Sequence, residues 1–172
     1  MNRKLVCCVI GWLAAGCLLL SVSPFPPAAE AGEKLNISAS SAVVMDQQTG
    51  QVLWAKNPNW RRPIASLTKI MTAVLVLEHC DLDEPVVVSR EAARTPGSSM
   101  YLRAGASYAV RDLLWGLMLA SGNDAAEALA QHVAKTTGDF AVYMNKKAAF
   151  IGAHNTHFTN PHGLPDDNHY ST

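Results

Sequence analysis

Ser66 and Lys69 stand three residues apart in Pro63-Ile64-Ala65-Ser66-Leu67-Thr68-Lys69-Ile70-Met71-Thr72-Ala73. On a helix that spacing places both side chains on one face, within reach of each other. Such a pair can make a nucleophile and its base. A lysine held among apolar residues near a helix N-terminus has its charged form disfavoured twice, so its neutral amine can accept the serine proton. Backbone N–H groups at the same terminus can help hold an oxyanion. The spacing by itself is weak, because a Ser-x-x-Lys arises by chance about once in two chains of this size. Its setting is what matters: the other positions from Ile64 to Leu77 are almost all apolar, and an unpaired charge there is costly.

A second candidate is Ser121-Gly122-Asn123. Alone, it reads as a helix stop followed by an N-cap. Beside Ser66 and Lys69, Ser121 becomes a hydroxyl able to relay a proton and Asn123 an amide able to hydrogen-bond a substrate carbonyl. Together the two motifs describe an acyl-transfer site.

The elements that must position these residues follow from the pattern. Ala42 to Met45 and Gln51 to Ala55 are strand-like runs joined by Asp46-Gln47-Gln48-Thr49-Gly50, a β-hairpin. A helix starting at Pro63 is apolar all round and therefore expected to be buried, with Pro63 in its first turn. Val86 to Val88 is a short edge strand. Helices follow over Val110 to Ala120, Asp124 to Lys135 and Asp139 to Ile151, the last stopped by Gly152. Ala153 to Thr172 is polar and loop-like. A lone hairpin is marginal as a sheet, so further strands are expected after Thr172.

The chain has 172 residues, 49% apolar and 16% charged, with 14 basic and 14 acidic side chains. That excludes a disordered tail or a nucleic-acid arm, and the length suits one core. Residues 1–31 read as a secretory signal peptide: Arg3 and Lys4, an uncharged run from Leu5 to Ala29, and a small-residue site at Ala29-Glu30-Ala31. An uncleaved anchor over Leu5 to Ser23 competes, although Pro24, Pro26 and Pro27 end any helix there. Removing the leader takes Cys7, Cys8 and Cys17, leaving Cys80 alone and no internal disulfide in the domain, 32–172. No cofactor or metal is implied.

The three segments Pro63 to Ala73, Ser121 to Ala126 (Ser-Gly-Asn-Asp-Ala-Ala) and Asn155 to Leu164 (Asn-Thr-His-Phe-Thr-Asn-Pro-His-Gly-Leu) stand in the order found in a known family. With the hairpin, they make the chain resemble the serine D-alanyl-D-alanine carboxypeptidases, low-molecular-weight penicillin-binding proteins, from about Ser41 to Thr172. The resemblance implies an α+β, β-lactamase/penicillin-binding-protein-like transpeptidase fold. It also implies that Ser66 is acylated by the penultimate D-alanine of a peptidoglycan stem peptide ending in D-Ala-D-Ala, and is trapped by β-lactams such as penicillins. Lys69 is then the general base, Ser121 a proton relay and Asn123 a substrate-orienting group. Location outside the cytoplasm, in the cell wall or on the outer face of the cytoplasmic membrane, follows from the leader, and any membrane association would come from an anchor beyond Thr172.

The family's third motif, Lys-Thr-Gly, is absent, and Lys135-Thr136-Thr137-Gly138 does not replace it. The chain alone is therefore expected to be truncated and catalytically silent, with poorly cooperative melting. Three rivals compete. A class A β-lactamase needs a deacylating glutamate, yet no Glu follows Glu127. A zinc peptidase could use His154, His157, His162 and His169, but lacks a His-Glu-x-x-His. An inert remnant or wall-binding module is the third.

Overall fold

The computed structural model describes residues 36–172, so the signal-peptide reading and three of the four cysteines lie outside the described residues. The expected hairpin is present as β1 (Ala42–Met45) and β2 (Val52–Lys56), antiparallel, with Val44 opposite Trp54 and a bulge between Val44 and Met45. Its turn closes on Asp46, whose carboxylate accepts the Thr49 N–H at 2.7 Å and the Thr49 hydroxyl at 2.6 Å. That is the side-chain turn chemistry for which Asp is suited.

A second antiparallel pair joins β3 (Pro85–Val87) to β4 (Ser107–Ala109), with Val86 opposite Tyr108. The sequence reading included β3 but not β4. Three residues of Ser-Tyr-Ala carry no alternation long enough to see, and their conformation comes from the cross-strand partner rather than from propensity.

The helical body comprises α1 (Thr68–His79), α2 (Val110–Leu119), α3 (Asn123–Ala134) and α4 (Thr137–Phe150). The last three match the expected helices to within two residues. α3 is the central element and packs against each of the other three. Its residues 123–130 are all buried, and Ala125, Ala126, Ala128 and Ala130 keep its girth small enough for close approach on all sides. One apolar cluster gathers Val76, Val86, Leu113, Leu117 and Leu129, and another Leu75, Phe140, Met144 and Phe158. Each such side chain contributes roughly 1.5 to 3 kcal/mol by leaving water.

Two expectations for the Ser66 helix need correction. Its opening is a 3-10 turn over Ala65–Leu67, with Pro63 outside it, and only from Thr68 is the helix α. Nor is it buried all round: Thr68, Lys69, Thr72, Leu75 and Val76 face inward, whereas Leu67 (65% exposed), Ile70 and Leu77 face out. Apolar residues on every side describe what a helix can tolerate, and its neighbours decide which side they cover. The loop-like tail also differs from a solvated segment, since Phe158, Pro161, His162 and His169 are buried. A bridge from Arg62 to Ser171 ties it back to the body, and one from His157 to Tyr170 closes it on itself.

Asp124, wholly buried, fixes the loop before β4 onto α3. Its carboxylate accepts the Ser99 hydroxyl at 2.6 Å, the Met100 and Leu102 N–H groups at 3.0 Å each, and its neighbour Ala125 N–H at 2.9 Å. Burial would raise its pKa, but these donors outweigh that and hold it below the usual carboxylate value. Asp124→Ala leaves two loop N–H groups without an acceptor, at about 1 to 3 kcal/mol each. Urea unfolding of this variant should show a loss of at least about 2 kcal/mol, and a loss under 0.5 kcal/mol, within the range of an ordinary surface change, would remove Asp124 from this role.

Candidate active site

Ser66 is the exposed middle residue of the 3-10 turn, and Lys69 stands in the first turn of α1, only 2% exposed. Lys69 Nζ lies 3.2 Å from Ser66 Oγ, 2.7 Å from Asn123 Oδ1 and 2.9 Å from the His162 carbonyl oxygen. Ser121 Oγ is 2.9 Å from Ser66 Oγ. All four sequence-derived site residues therefore meet at one point, and the two serines are joined directly.

The chemistry of the acceptors determines how the amine can work. Asn123 Oδ1 and the His162 carbonyl can only accept, and they take the two shorter contacts. A neutral amine donates its two N–H bonds to them and directs its lone pair at the third neighbour, Ser66 Oγ–H. Burial holds the Lys69 pKa below the ordinary lysine value of 10.5, which favours this form. With Ser66 donating to Lys69, its oxygen is free to accept from Ser121 Oγ–H. In that form the hydrogen bonds run in one direction, from Ser121 to Ser66 to Lys69, whereas as an ammonium Lys69 donates to Ser66 Oγ.

Asn123 is 5% exposed, and both ends of its amide are engaged. Its Oδ1 accepts a hydrogen bond from Lys69 Nζ and its Nδ2 donates to the Pro96 carbonyl at 2.7 Å, while its N–H donates to the Ser98 carbonyl at 2.7 Å. Holding Lys69 is thus a role that the sequence reading did not include. Gly97 makes room for it, since a Cβ there would stand 2.6 Å from Asn123 Nδ2.

The tail supplies the remaining support. Thr159 N–H donates to His169 Nδ1 at 3.1 Å, so the proton of the neutral ring lies on Nε2, which donates to Thr68 Oγ1 at 2.7 Å. Thr72 Oγ1 donates to the Pro161 carbonyl at 2.6 Å. Leu164 N–H likewise donates to His162 Nδ1 at 3.2 Å. Burial, followed by the charges of Lys69 and His169, depresses the His162 pKa to about 4. The ring is therefore neutral at working pH, and its 3.9 Å approach to Glu127 is not an ion pair. His162 and His169 are used in packing and hydrogen bonding, while His154 and His157 are exposed. Among the described residues these four make no group able to hold a metal. The zinc-peptidase alternative has no geometric basis there.

Sequence reasoning missed the His162 carbonyl, the Thr68–His169 and Thr72–Pro161 bonds, and the close fit of Gly163. A Cβ on Gly163 would stand 1.9 Å from the Ala65 carbonyl oxygen and 2.9 Å from Thr68 Oγ1, and its φ is +87°. The available signal was Pro161-His162-Gly163 within a recognised segment, though nothing in the segment itself says what it touches. Lys135 to Gly138 forms the junction of α3 and α4, where Lys135 ends α3 at φ +68° and Thr136 caps α4 through the Asp139 N–H. Beside Ser66, a cleft of about 410 Å³ is walled by Ile64, Leu67, Ile70, Leu117 and Met118, with Ser121 at its edge.

The sequence profile described as D-alanyl-D-alanine carboxypeptidase, peptidase S11, matches residues 28–172. The D-alanyl-D-alanine carboxypeptidase DacF of Bacillus subtilis is 38% identical over 172 residues, covering 95% of this chain and 44% of that protein. DacA of Haemophilus influenzae is 39% identical, over 79% of this chain and 37% of that protein. Among solved structures, the carboxypeptidase DacD from Francisella tularensis superposes with a TM-score of 0.77 at 44% identity, covering 80% of this chain and 34% of its own. Penicillin binding protein 5 from Haemophilus influenzae gives 0.76 at 37% identity, covering 80% and 42%. The fold is thus that of the penicillin-binding D,D-peptidases, and the chain spans less than half the length of these relatives.

Two outcomes follow from the geometry. The rate at which an activated acyl donor modifies Ser66 should rise with pH along one ionisation lying below 10.5, because the base form of Lys69 grows through its lowered pKa. A rate that rises only around 10.5 would assign the base elsewhere. Gly163→Ala should slow the same reaction at least tenfold by displacing the Ala65 turn, while Gly152→Ala, also at positive φ but with open space around it, should leave the rate unchanged.

Proposed function

The chain belongs to the peptidase S11 family of D-alanyl-D-alanine carboxypeptidases, and on that premise we propose that it is a serine hydrolase acting on peptidoglycan stem peptides ending in D-Ala-D-Ala. The observation that carries this reading is the continuous line of contacts from Ser121 Oγ to Ser66 Oγ at 2.9 Å and from Ser66 Oγ to the buried Lys69 amine at 3.2 Å. As Ser66 Oγ attacks the carbonyl carbon of the penultimate D-alanine, its proton passes to Lys69 Nζ. The carbon–nitrogen bond then breaks as Ser121 Oγ gives its own proton to the departing D-alanine nitrogen and takes in exchange the proton held on Lys69. Water attacks the Ser66 ester, with Lys69 again taking the proton, and frees the shortened peptide. A penicillin follows the first step, opening its lactam onto Ser66, and leaves slowly.

In this reading Asn123 first holds the base and can turn its Nδ2 from the Pro96 carbonyl to a substrate carbonyl. The cleft beside Ser66 receives the side facing α1 and α2. Export by the residue 1–31 leader places the domain where that substrate is, outside the cytoplasm.

The test is made in a chimera whose sequence after Thr172 is supplied by the Bacillus subtilis relative. Fluorescent penicillin should attach to Ser66, as located by peptide mass, and Ser66→Ala should abolish labelling. Lys69→Arg should lower the acylation rate by about 10² or more, because a guanidinium does not deprotonate at working pH. Ser121→Ala should slow D-alanine release with the circular dichroism spectrum unchanged. An adduct on another residue with Ser66 unmodified would overturn the assignment.

A further inference from the structure

Away from the catalytic cluster, three chemically different donors converge at the far ends of the helices that carry it. Cys80 caps the C-terminus of α1, Glu84 immediately precedes β3, and His132 lies in the last turn of α3. Their ligand atoms, the Cys80 Sγ, a Glu84 carboxylate oxygen and a His132 ring nitrogen, all lie within 4.8 Å of one another, and each side chain is half-buried. Among the described residues no other group of three meets that condition. His132 Nε2 stands 3.3 Å from Glu84 Oε1. Two donors each about 2.0 to 2.1 Å from a tetrahedral ion are separated by about that distance.

We propose that Cys80, Glu84 and His132 form a zinc site, with the fourth position left to water. The donor types point to this ion: thiolate and imidazole exclude Mg²⁺ and Ca²⁺, which take oxygen ligands, and a set of one sulfur, one nitrogen and one oxygen suits Zn²⁺. The surroundings favour a cation as well. Two helix C-termini, those of α1 and α3, meet here with their negative dipole ends. Asp81, next to Cys80 in the chain, adds a further carboxylate, and Arg111 is already paired with Asp83. Binding replaces the Cys80 S–H bond with a zinc–sulfur bond as the proton passes to water, so nothing is oxidised or reduced.

The consequence is mechanical. α1 and α3 each have 12 residues, about 18 Å at 1.5 Å per residue, and both begin at the catalytic cluster with Lys69 and Asn123. A zinc ion joining their other ends through β3 fixes their relative register, and with it the geometry at Lys69. It also occupies the thiol that has no disulfide partner among the described residues.

The test uses the full, untagged chain. Titrated with Co²⁺ as a spectroscopic stand-in, it should bind one equivalent and show the near-ultraviolet thiolate-to-metal charge-transfer band together with tetrahedral d–d absorption. Zn²⁺ should displace it and raise the melting temperature. Zn²⁺ should also slow iodoacetamide modification of Cys80 at least tenfold in the unmutated protein, a measurement that does not depend on any variant folding. Cys80→Ser and His132→Gln should each weaken zinc binding at least tenfold. Cobalt bound without the thiolate band, or Cys80 modified at the same rate with and without zinc, would overturn the proposal.

Discussion

A buried amine cannot be left without partners, and Lys69 takes its three from three separate stretches of chain. Ser66 comes from the turn before α1, Asn123 from the start of α3 some 54 residues on, and the His162 carbonyl from the tail 93 residues on. Each contact lies between 2.7 and 3.2 Å. Losing one would strand a buried polar atom, which costs about 1 to 3 kcal/mol. The site is therefore also a joint of the fold. The tail has almost no regular structure, yet it is held because it delivers an acceptor that Lys69 requires, and the Thr72–Pro161 and Thr68–His169 bonds secure it on either side.

Two of the five positive-φ residues other than glycine among the described residues stand at this joint. Ala65, immediately before the nucleophile, has φ +45°, and Ser121 has φ +54°. A non-glycine residue at positive φ costs of order 1 kcal/mol or more and persists only where its surroundings over-determine it. At Ala65 those surroundings are visible: Gly163 lies so close to its carbonyl that no side chain fits between them. The positive φ at Ser121 turns the chain between α2 and α3 and leaves the hydroxyl facing Ser66 while Asn123 enters the interior. The same packing that joins the fold here keeps two hydroxyls and an amine in line.

These features differ in how far they can be seen in the sequence. Ser66, Lys69, Ser121 and Asn123 are legible because their chemistry and their local setting coincide, a charge amid apolar residues or a polar triplet between two helices. The hairpin is legible through Asp46 and Gly50, and α2 to α4 through their periodicity. What escapes is what depends on a distant partner. β4 exists because β3 pairs with it, and Gly163 matters because Ala65, roughly one hundred residues earlier, comes to lie against it. Asp124 reads as one more polar residue in a helix start, although four hydrogen bonds make it the anchor of the loop over Asn123. The exposed faces of Leu67, Ile70 and Leu77 follow the same rule, for apolar character alone does not say which side a neighbour will cover.

The arrangement around Lys69 also has to serve both protonation states, because a base that accepts a proton must be held before and after. In the neutral state its two N–H bonds go to Asn123 and the His162 carbonyl, and the lone pair meets Ser66. Once protonated, it has three N–H bonds for the same three oxygens, the third now directed at a Ser66 oxygen that has given up its proton. No partner has to move, so the proton transfer requires little reorganisation. Burial and the acceptors act in opposite directions here. Burial disfavours the ammonium, which makes the amine available as a base, and the three oxygens stabilise the ammonium when it forms. A lysine in an apolar pocket without acceptors would be a base unable to hold the proton it takes. One surrounded by carboxylates would keep its proton and be no base at all. The neutral carbonyl and amide oxygens chosen here lie between those limits, and the neutrality of His162, enforced by its own burial, keeps a second positive charge from the same spot.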